Sequence, residues 1–330
     1  MAIDKVFFLF PGQGAQYQGM ALDLLESLPP NGGERVKALF SLASEIIGKD
    51  MADILGNSSP ETLKRTDMSQ PLITLANLAA AAYLAEMGVK PSGCAGFSLG
   101  EYAALAAAGV ITEEDCFSLV TRRGKAMQAA IDRIAAEGDG ASAPGMAAVA
   151  GLSPEKVESL LAEWKNSGNS ILKELYAANI NSSKQVVVSG TAGALTEAEG
   201  LFMAAGAKRF IRLQVAGPFH SPFMAQAAEE FGPVLEKVRF NDPQIPLFSN
   251  VSGKQVSSGE EAKKLALLQI TSPVRWVEEE AAIAASGGIN ACLEVGPGKV
   301  LQGLWRDLGV EIPCYAAGTA ADIAKVVNDQ

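Results

Sequence analysis

The sequence predicts an α/β protein with a parallel core sheet and a small lobe inserted into it. Three observations carry this. Short, mostly apolar runs at 6–10, 93–97 and 291–295, the last interrupted by Glu294, read as buried strands of a parallel sheet. Longer segments with helical character alternate with them. Between 144 and 215 the rhythm changes to β-α-β-β-α-β, the ferredoxin-like order. The expected division is a large α/β domain over 1–143 and 216–330, with 144–215 as the inserted lobe.

The elements follow in order. Strand 6–10 is stopped by Pro11-Gly12, and 12–20 is a Gly/Gln turn leading into a helix. Segments 22–28 and 34–47 read as helices, split by Pro29-Pro30-Asn31-Gly32-Gly33. An Ala-rich helix spans 71–87, and strand 93–97 passes through Ser98 into a helix over 99–108, ended by Gly109. Thr112 caps the next helix, whose first turn carries Glu113, Glu114 and Asp115. It runs to about 136, and 138–145 is a Gly/Ala/Ser/Pro loop. In the lobe, strands 146–152, 175–180, 185–189 and 208–215 are joined by helices starting at Pro154 and at Ala194. Beyond it, helices are expected over 225–238, 260–268 and 276–285 and from Lys299, with short strands at 247–250, 291–295 and 313–316.

Composition narrows the function. Of the 330 residues 48% are hydrophobic and 19% charged, which is enough apolar mass for a core. The net charge of −10, with no basic run, argues against a nucleic-acid partner. The longest apolar segment, 71–87, contains Thr74, Asn77 and Glu86 and reads as a buried helix, not a membrane span. Cys94, Cys116, Cys292 and Cys314 lack metal-ligand spacing, so reduced thiols in a cytoplasmic protein are expected. With His220 the only histidine, a catalytic metal is hard to build.

Gly96-Phe97-Ser98-Leu99-Gly100 fits the G-x-S-x-G nucleophile elbow, with a strand before it and a helix after. The bland alternative is a glycine turn that happens to hold a serine. A serine nucleophile needs a base, and His220, in Gly217-Pro218-Phe219-His220-Ser221-Pro222, is the one imidazole available. No acid stands out as a third member; Asp242 and Glu294 are candidates by type only, and a backbone carbonyl can hold the imidazole instead. The Leu99 amide would be one oxyanion donor, and the Gln13 amide, in Gly12-Gln13-Gly14-Ala15-Gln16, a second. Arg123 falls in the middle of an apolar stripe formed by Cys116, Leu119, Val120, Met127, Ala130, Ile131 and Ile134. It is either ion-paired, or snorkelling to solvent, or a fork for a ligand carboxylate.

Together these residues resemble the malonyl-CoA:acyl-carrier-protein transacylases and the acyltransferase domains of fatty-acid and polyketide synthases. The matches are Pro11-Gly12-Gln13-Gly14-Ala15-Gln16, Gly96-Phe97-Ser98-Leu99-Gly100-Glu101, Arg123-Gly124-Lys125-Ala126-Met127, Pro218-Phe219-His220-Ser221 and Glu294-Val295-Gly296-Pro297-Gly298, in the family's order. The resemblance implies an α/β-hydrolase-like large domain with a ferredoxin-like insertion. It implies Ser98 as acyl nucleophile, His220 as base, Arg123 as the malonyl carboxylate anchor, and the Gln13 and Leu99 amides as the oxyanion hole. It also implies that the Gln269 carbonyl orients the histidine, that Gln70 lines the acyl pocket, and that Asn179 and Asn181 lie near the pantetheine arm. The implied substrates are coenzyme A and phosphopantetheine thioesters, with no further cofactor. The implied partners are malonyl-CoA and acyl carrier protein, engaged by a monomer in fatty-acid synthesis. Lys184, Lys208, Arg209 and Lys299 are the candidate carrier-docking bases. One departure stands out: Phe97 replaces the histidine that family elbows usually carry before the serine. The rival readings are a serine thioesterase or acyl hydrolase on the same scaffold, and a non-catalytic carrier-docking subunit.

Overall fold

The computed structural model describes residues 5–27, 29, 32–137, 144–214 and 217–328. Strand β1 (Val6–Phe10) is buried at all five positions. Its side chains alternate between two apolar layers: Val6, Phe8 and Phe10 pack into one, Phe7 and Leu9 into the other. Helices α1 (Leu22–Glu26), α2 (Glu34–Ile47), α3 (Met51–Asn57), α4 (Pro60–Lys64) and α5 (Thr66–Glu86) lead to β2 (Pro91–Gly96). Helices α6 (Gly100–Ala107) and α7 (Glu113–Glu137) follow, and the Thr112 hydroxyl accepts from the Asp115 amide at 3.0 Å.

The next strands form a separate sheet. They are β3 (Gly145–Ala150), β4 (Leu175–Ser182), β5 (Gln185–Gly190) and β6 (Arg209–Arg212), with α8 (Pro154–Asn166) and α9 (Ala192–Ala204) between them. All pairings are antiparallel, in the order β4-β5-β3-β6. Ala147 and Val149 of β3 face α8 and α9 in a core of their own with Trp164 and Phe202. Met146 and Ala148, on the opposite face of the strand, join the main core. This explains why β3 is apolar on both sides.

The chain then continues through α10 (Ala225–Glu236), β7 (Phe248–Ser249), β8 (Lys254–Gln255), α11 (Gly259–Leu268) and α12 (Trp276–Ala285). Strand β9 (Ala291–Glu294), α13 (Val300–Leu308), β10 (Cys314–Ala316) and α14 (Ala320–Asn328) complete it. The first sheet is parallel throughout, in the order β10-β9-β1-β2. Beside β2, Cys94 bridges to Leu247 in parallel.

Several expectations are corrected. The helix expected from Pro71 begins at Thr66. Its first residues, Thr66, Ser69 and Gln70, are polar yet fully buried, so apolar periodicity could not reveal them. Helices α3, α4 and α14 were not anticipated; α3 and α4 are short and are started by the side-chain caps of Asp50 and Ser59. Strand β6 ends at Arg212. The 138–143 part of the loop, the boundaries drawn at 143 and at 215–216, and the ends of the segments 22–28 and 208–215 lie outside the described residues.

The join of β2 to α6 has no room for side chains. A Cβ on Gly96 would stand 2.1 Å from the Gly100 carbonyl group, and one on Gly100 2.0 Å from the Phe10 carbonyl oxygen. One on Gly12 would stand 2.3 Å from the Phe97 oxygen. In each case the obstacle is backbone, which cannot swing away. Gly100→Ala is therefore expected to cost at least about 3 kcal/mol. That lowers the thermal midpoint by roughly 6 °C or more on the scale of a large domain. A melting curve superimposable on that of the parent protein would show that the elbow is looser than described.

Candidate active site

Ser98 lies between β2 and α6 with φ of 51°, a left-handed conformation that a side chain adopts only under constraint. Its hydroxyl is 2.7 Å from His220 Nε2. His220 also has a positive φ, 54°. Two such residues cost roughly 1–3 kcal/mol each, and strain of this kind concentrates at functional sites. Gly217, three residues before His220, packs on α7, since a Cβ there would stand 2.5 Å from Ile131 Cγ1.

The far side of the imidazole is held by backbone. His220 Nδ1 is 2.9 Å from the Gln269 carbonyl oxygen, so Nδ1 donates and Nε2 faces the Ser98 hydroxyl as acceptor. His220 is 4% exposed. Burial first, and then the positive charge of Arg123, push its pKa down to about 4. The imidazole is thus neutral at pH 7, the state a base requires. The amides of Gln13 and Leu99 donate to no acceptor among the described residues. Gly12, against the elbow backbone, brings the Gln13 turn beside Leu99.

Arg123, on α7, is 1% exposed. Its guanidinium donates to Gln269 Oε1 at 3.0 Å and lies 5.4 Å from the centre of the Tyr102 ring. Among the described residues no carboxylate lies within 4.0 Å of it, and its Nε has no partner. The ion-pair and snorkelling alternatives are therefore both corrected: the group is buried, charged and without a direct counter-ion.

Ser98, Arg123 and His220 line one cavity of about 250 Å³. Asn179, Asn181, Gln185 and Val187 form its wall from the antiparallel sheet; Phe97, after β2, Met127 on α7 and Val300 and Leu304 on α13 contribute the rest. Gln70 does not line it. It is buried one layer behind, with Nε2 3.3 Å from the Met127 sulfur. Phe97 lies edge-on to Trp276, ring centres 5.3 Å apart. Asp242, a candidate by type, instead accepts from the Gly259 amide, and Glu294 from the Gln302 amide.

Sequence reasoning missed a buried polar layer beneath the elbow. Gln269 Nε2 donates to the Ser98 carbonyl and to Glu101 Oε2, both at 3.0 Å. Asn250 accepts from the Ser98 amide at 2.6 Å, and its own amide donates to Glu101 Oε2 at 2.9 Å. The only signal for Asn250 was a short apolar strand ending on a polar residue. Among the described residues no group of His, Cys, Asp and Glu could hold a metal, and no helix is long and apolar enough to cross a membrane.

A strained serine at a strand-to-helix elbow, an imidazole within hydrogen-bond reach and two free amides form the arrangement of a serine-dependent acyl-transfer enzyme. Comparison with known proteins agrees. Residues 7–311 match the acyl transferase domain, and the chain belongs to that family. A protein from Bacillus subtilis strain 168 named malonyl CoA-acyl carrier protein transacylase is 36% identical over 326 residues, covering 99% of this chain and 97% of that one. A namesake from Escherichia coli K12 is 37% identical over 300 residues, 91% of each chain. The crystal structure of the Clostridium perfringens malonyl CoA-acyl carrier protein transacylase superposes with a TM-score of 0.88 at 32% identity, covering 98% and 96%. A malonyl-transacylase in complex with a type II polyketide acyl-carrier protein gives 0.87 at 32% identity, covering 99% and 100%.

The imidazole environment generates a pH prediction. The folded value of about 4 lies below the ordinary value of 6.5, so the neutral base persists well into acid. The same shift means that native stability drawn from neutral His220 is complete above 6.5 and is lost as pH falls towards 4. Labelling of Ser98 by a serine-directed phosphonate, followed by mass spectrometry, is expected to lose half its rate near pH 4. A midpoint near 6.5 would show an imidazole in contact with water.

Proposed function

We propose that the protein transfers a malonyl group from coenzyme A to the phosphopantetheine thiol of acyl carrier protein through an acyl-enzyme on Ser98. The observation that carries this reading is Arg123, a buried guanidinium on the cavity wall with no direct counter-ion. Removing such a charge from water is costly unless a partner arrives, and the free carboxylate of malonyl is a planar partner that matches its fork. A neutral acyl chain would leave the charge uncompensated, which disfavours the hydrolase alternative. The resemblance and the family relatives point to the same substrates.

The cycle has two half-reactions. His220 Nε2 accepts the Ser98 proton as Oγ attacks the thioester carbonyl. The oxyanion is stabilised by the Gln13 and Leu99 amides, while the Gln269 carbonyl keeps the imidazole tautomer. Collapse expels the coenzyme A thiolate, which takes the proton from His220. The carrier thiol then enters, loses its proton to His220 and attacks the acyl-serine; collapse returns the proton to Ser98 Oγ. Gln70, through Met127, backs the acyl end of the cavity, and Asn179 and Asn181 offer amides to the pantetheine arm. The β-α-β-β-α-β segment is taken as a ferredoxin-like lobe, residues 144–215, inserted into an α/β-hydrolase-like domain, 1–143 with 216–330. The enzyme is taken to work as a cytoplasmic monomer without a further cofactor, in fatty-acid synthesis. One chain supplies Ser98, His220 and Arg123 to the cavity, and all four cysteines are free thiols.

The carrier-docking bases Lys184, Lys208 and Arg209 are exposed, as is Lys299, whose ammonium lies 4.0 Å from Asp322. Lys64, exposed at the cavity edge, joins them. Two outcomes test the proposal. Intact-mass measurement after brief exposure to malonyl-CoA is expected to show a malonyl adduct that Ser98→Ala abolishes. In Arg123→Ala, malonyl loading is expected to fall by about 100-fold or more, the scale of removing one partner of a buried charge pair, while acetyl loading is retained or rises. An unchanged malonyl-over-acetyl preference would remove the anchor role. Charge reversal at Lys208 and Arg209 is expected to raise the carrier-protein KM by about tenfold with kcat kept; an unchanged KM would move the docking surface elsewhere.

A further inference from the structure

The elbow is fastened by one carboxamide. Asn250 Oδ1 accepts from the Ser98 amide at 2.6 Å, and Asn250 Nδ2 donates to the Gly96 carbonyl at 2.7 Å. The two backbone groups on either side of Phe97 are thus tied to the two ends of one rigid amide. Ser98 holds its positive φ within this clamp. Asn250 is fully buried. Its backbone is gripped in turn: its amide donates to Glu101 Oε2 at 2.9 Å, and its carbonyl accepts from the Arg275 amide at 2.8 Å. Nδ2 also donates to Glu279 Oε2 at 2.8 Å, so the carboxamide has no freedom to flip without losing a donor contact at both Gly96 and Glu279.

We propose that Asn250 is the positioning residue of the nucleophile: its side chain clamps the Gly96 carbonyl and the Ser98 amide together and so fixes the Ser98 hydroxyl on His220. The clamp has a second consequence. By occupying the Ser98 amide it leaves the Leu99 amide as the free donor of the elbow, so the oxyanion is received by Leu99. Asn250 lines no part of the cavity. Its removal therefore acts on the attack step and not on binding.

The inference rests on the acyl-serine reading, and the experiment separates the two. Pre-steady-state malonyl loading is followed by mass in the parent protein, in Asn250→Ala and in Asn250→Asp. The maximal loading rate of Asn250→Ala is expected to fall about 100-fold, the scale of a misplaced reacting group, with the malonyl-CoA concentration for half-maximal rate nearly unchanged. Asn250→Asp preserves shape and the acceptor for Ser98 but, when ionised, loses the donor to Gly96. It is expected to load at an intermediate rate that rises as pH falls and the carboxyl regains a proton to donate, while the parent protein shows no such limb. The groups facing that position are Glu101, Glu279 and, through Gln269, Arg123. In the unaltered protein, the Ser98 amide is expected to exchange with solvent as slowly as the amides of β2. Loading at the parent rate in both variants, a loss confined to substrate affinity, or rapid exchange at Ser98 would each overturn the clamp. No adduct in the parent protein would instead overturn the acyl-serine reading itself.

Discussion

The geometry of the site depends on a serine held in a backbone conformation that it would not choose. Ser98 stands at φ 51° because the strand before it and the helix after it approach more closely than any side chain permits. At the elbow, backbone meets backbone at Gly96, Gly100 and Gly12. The parallel sheet supplies the reason. Strand β1 runs beside β2 in parallel register, and the Phe97 amide continues that pairing by donating to the Phe10 carbonyl at 2.9 Å. The same packing that builds a parallel core therefore lifts the hydroxyl to the end of the sheet. There the Leu99 amide, at the N-cap of α6, donates to no acceptor among the described residues.

Beneath that hydroxyl the electrostatics are arranged at one remove. Arg123 is not paired directly with Glu101; Gln269 stands between them, accepting from the guanidinium and donating to the carboxylate. Glu101 is pushed up to about 7 by burial, against the opposing pull of its donors and of Arg123. A direct ion pair would have satisfied the arginine and left it no affinity for a second carboxylate. A guanidinium with no acid nearby would bear its full desolvation cost. The Gln269 relay lies between these limits. The same residue presents its carbonyl to His220, whose pKa is lowered first by burial and then by Arg123, the cation that the Gln269 side chain holds.

Much of this was legible in the sequence, because the informative residues break a local pattern. The elbow glycines, the single imidazole and an arginine on an apolar stripe each contradict their surroundings, and such contradictions mark function. Helix ends with side-chain caps, such as Ser153 and Thr112, were readable for the same reason. What stayed hidden was buried polarity without periodicity. Asn250, Glu279 and the first turns of α5 look like surface residues in one dimension. They are interior because they bond to one another and to main chain contributed by segments far away. The Gln269 carbonyl could not be found from residue type at all, since every residue carries one; only the resemblance pointed to it.

The site also explains why the antiparallel sheet is attached where it is. Its outer face carries its own core, but its inner face supplies Met146, Val187, Asn179 and Asn181 to the cavity. Strand β4 is joined to the segment before α12 by main chain: the Ile180 amide donates to the Val274 carbonyl at 2.7 Å, and the Val274 amide to the Ala178 carbonyl at 2.9 Å. Val274 lies five residues from Gln269, so one stretch of chain ties the arm-facing strand to the carbonyl that orients the base. On the proposed reaction, coenzyme A and the carrier share only the phosphopantetheine arm, and a cleft serving both must recognise the arm and the acyl end alone. On that reading, a wall of amides fixed to the segment that holds the imidazole would recognise the arm, and Arg123 the acyl carboxylate. The acyl group keeps one anchor through both half-reactions. On that reading, keeping water from the acyl-serine in this cleft is the physical difference between passing the group to a thiol and losing it by hydrolysis.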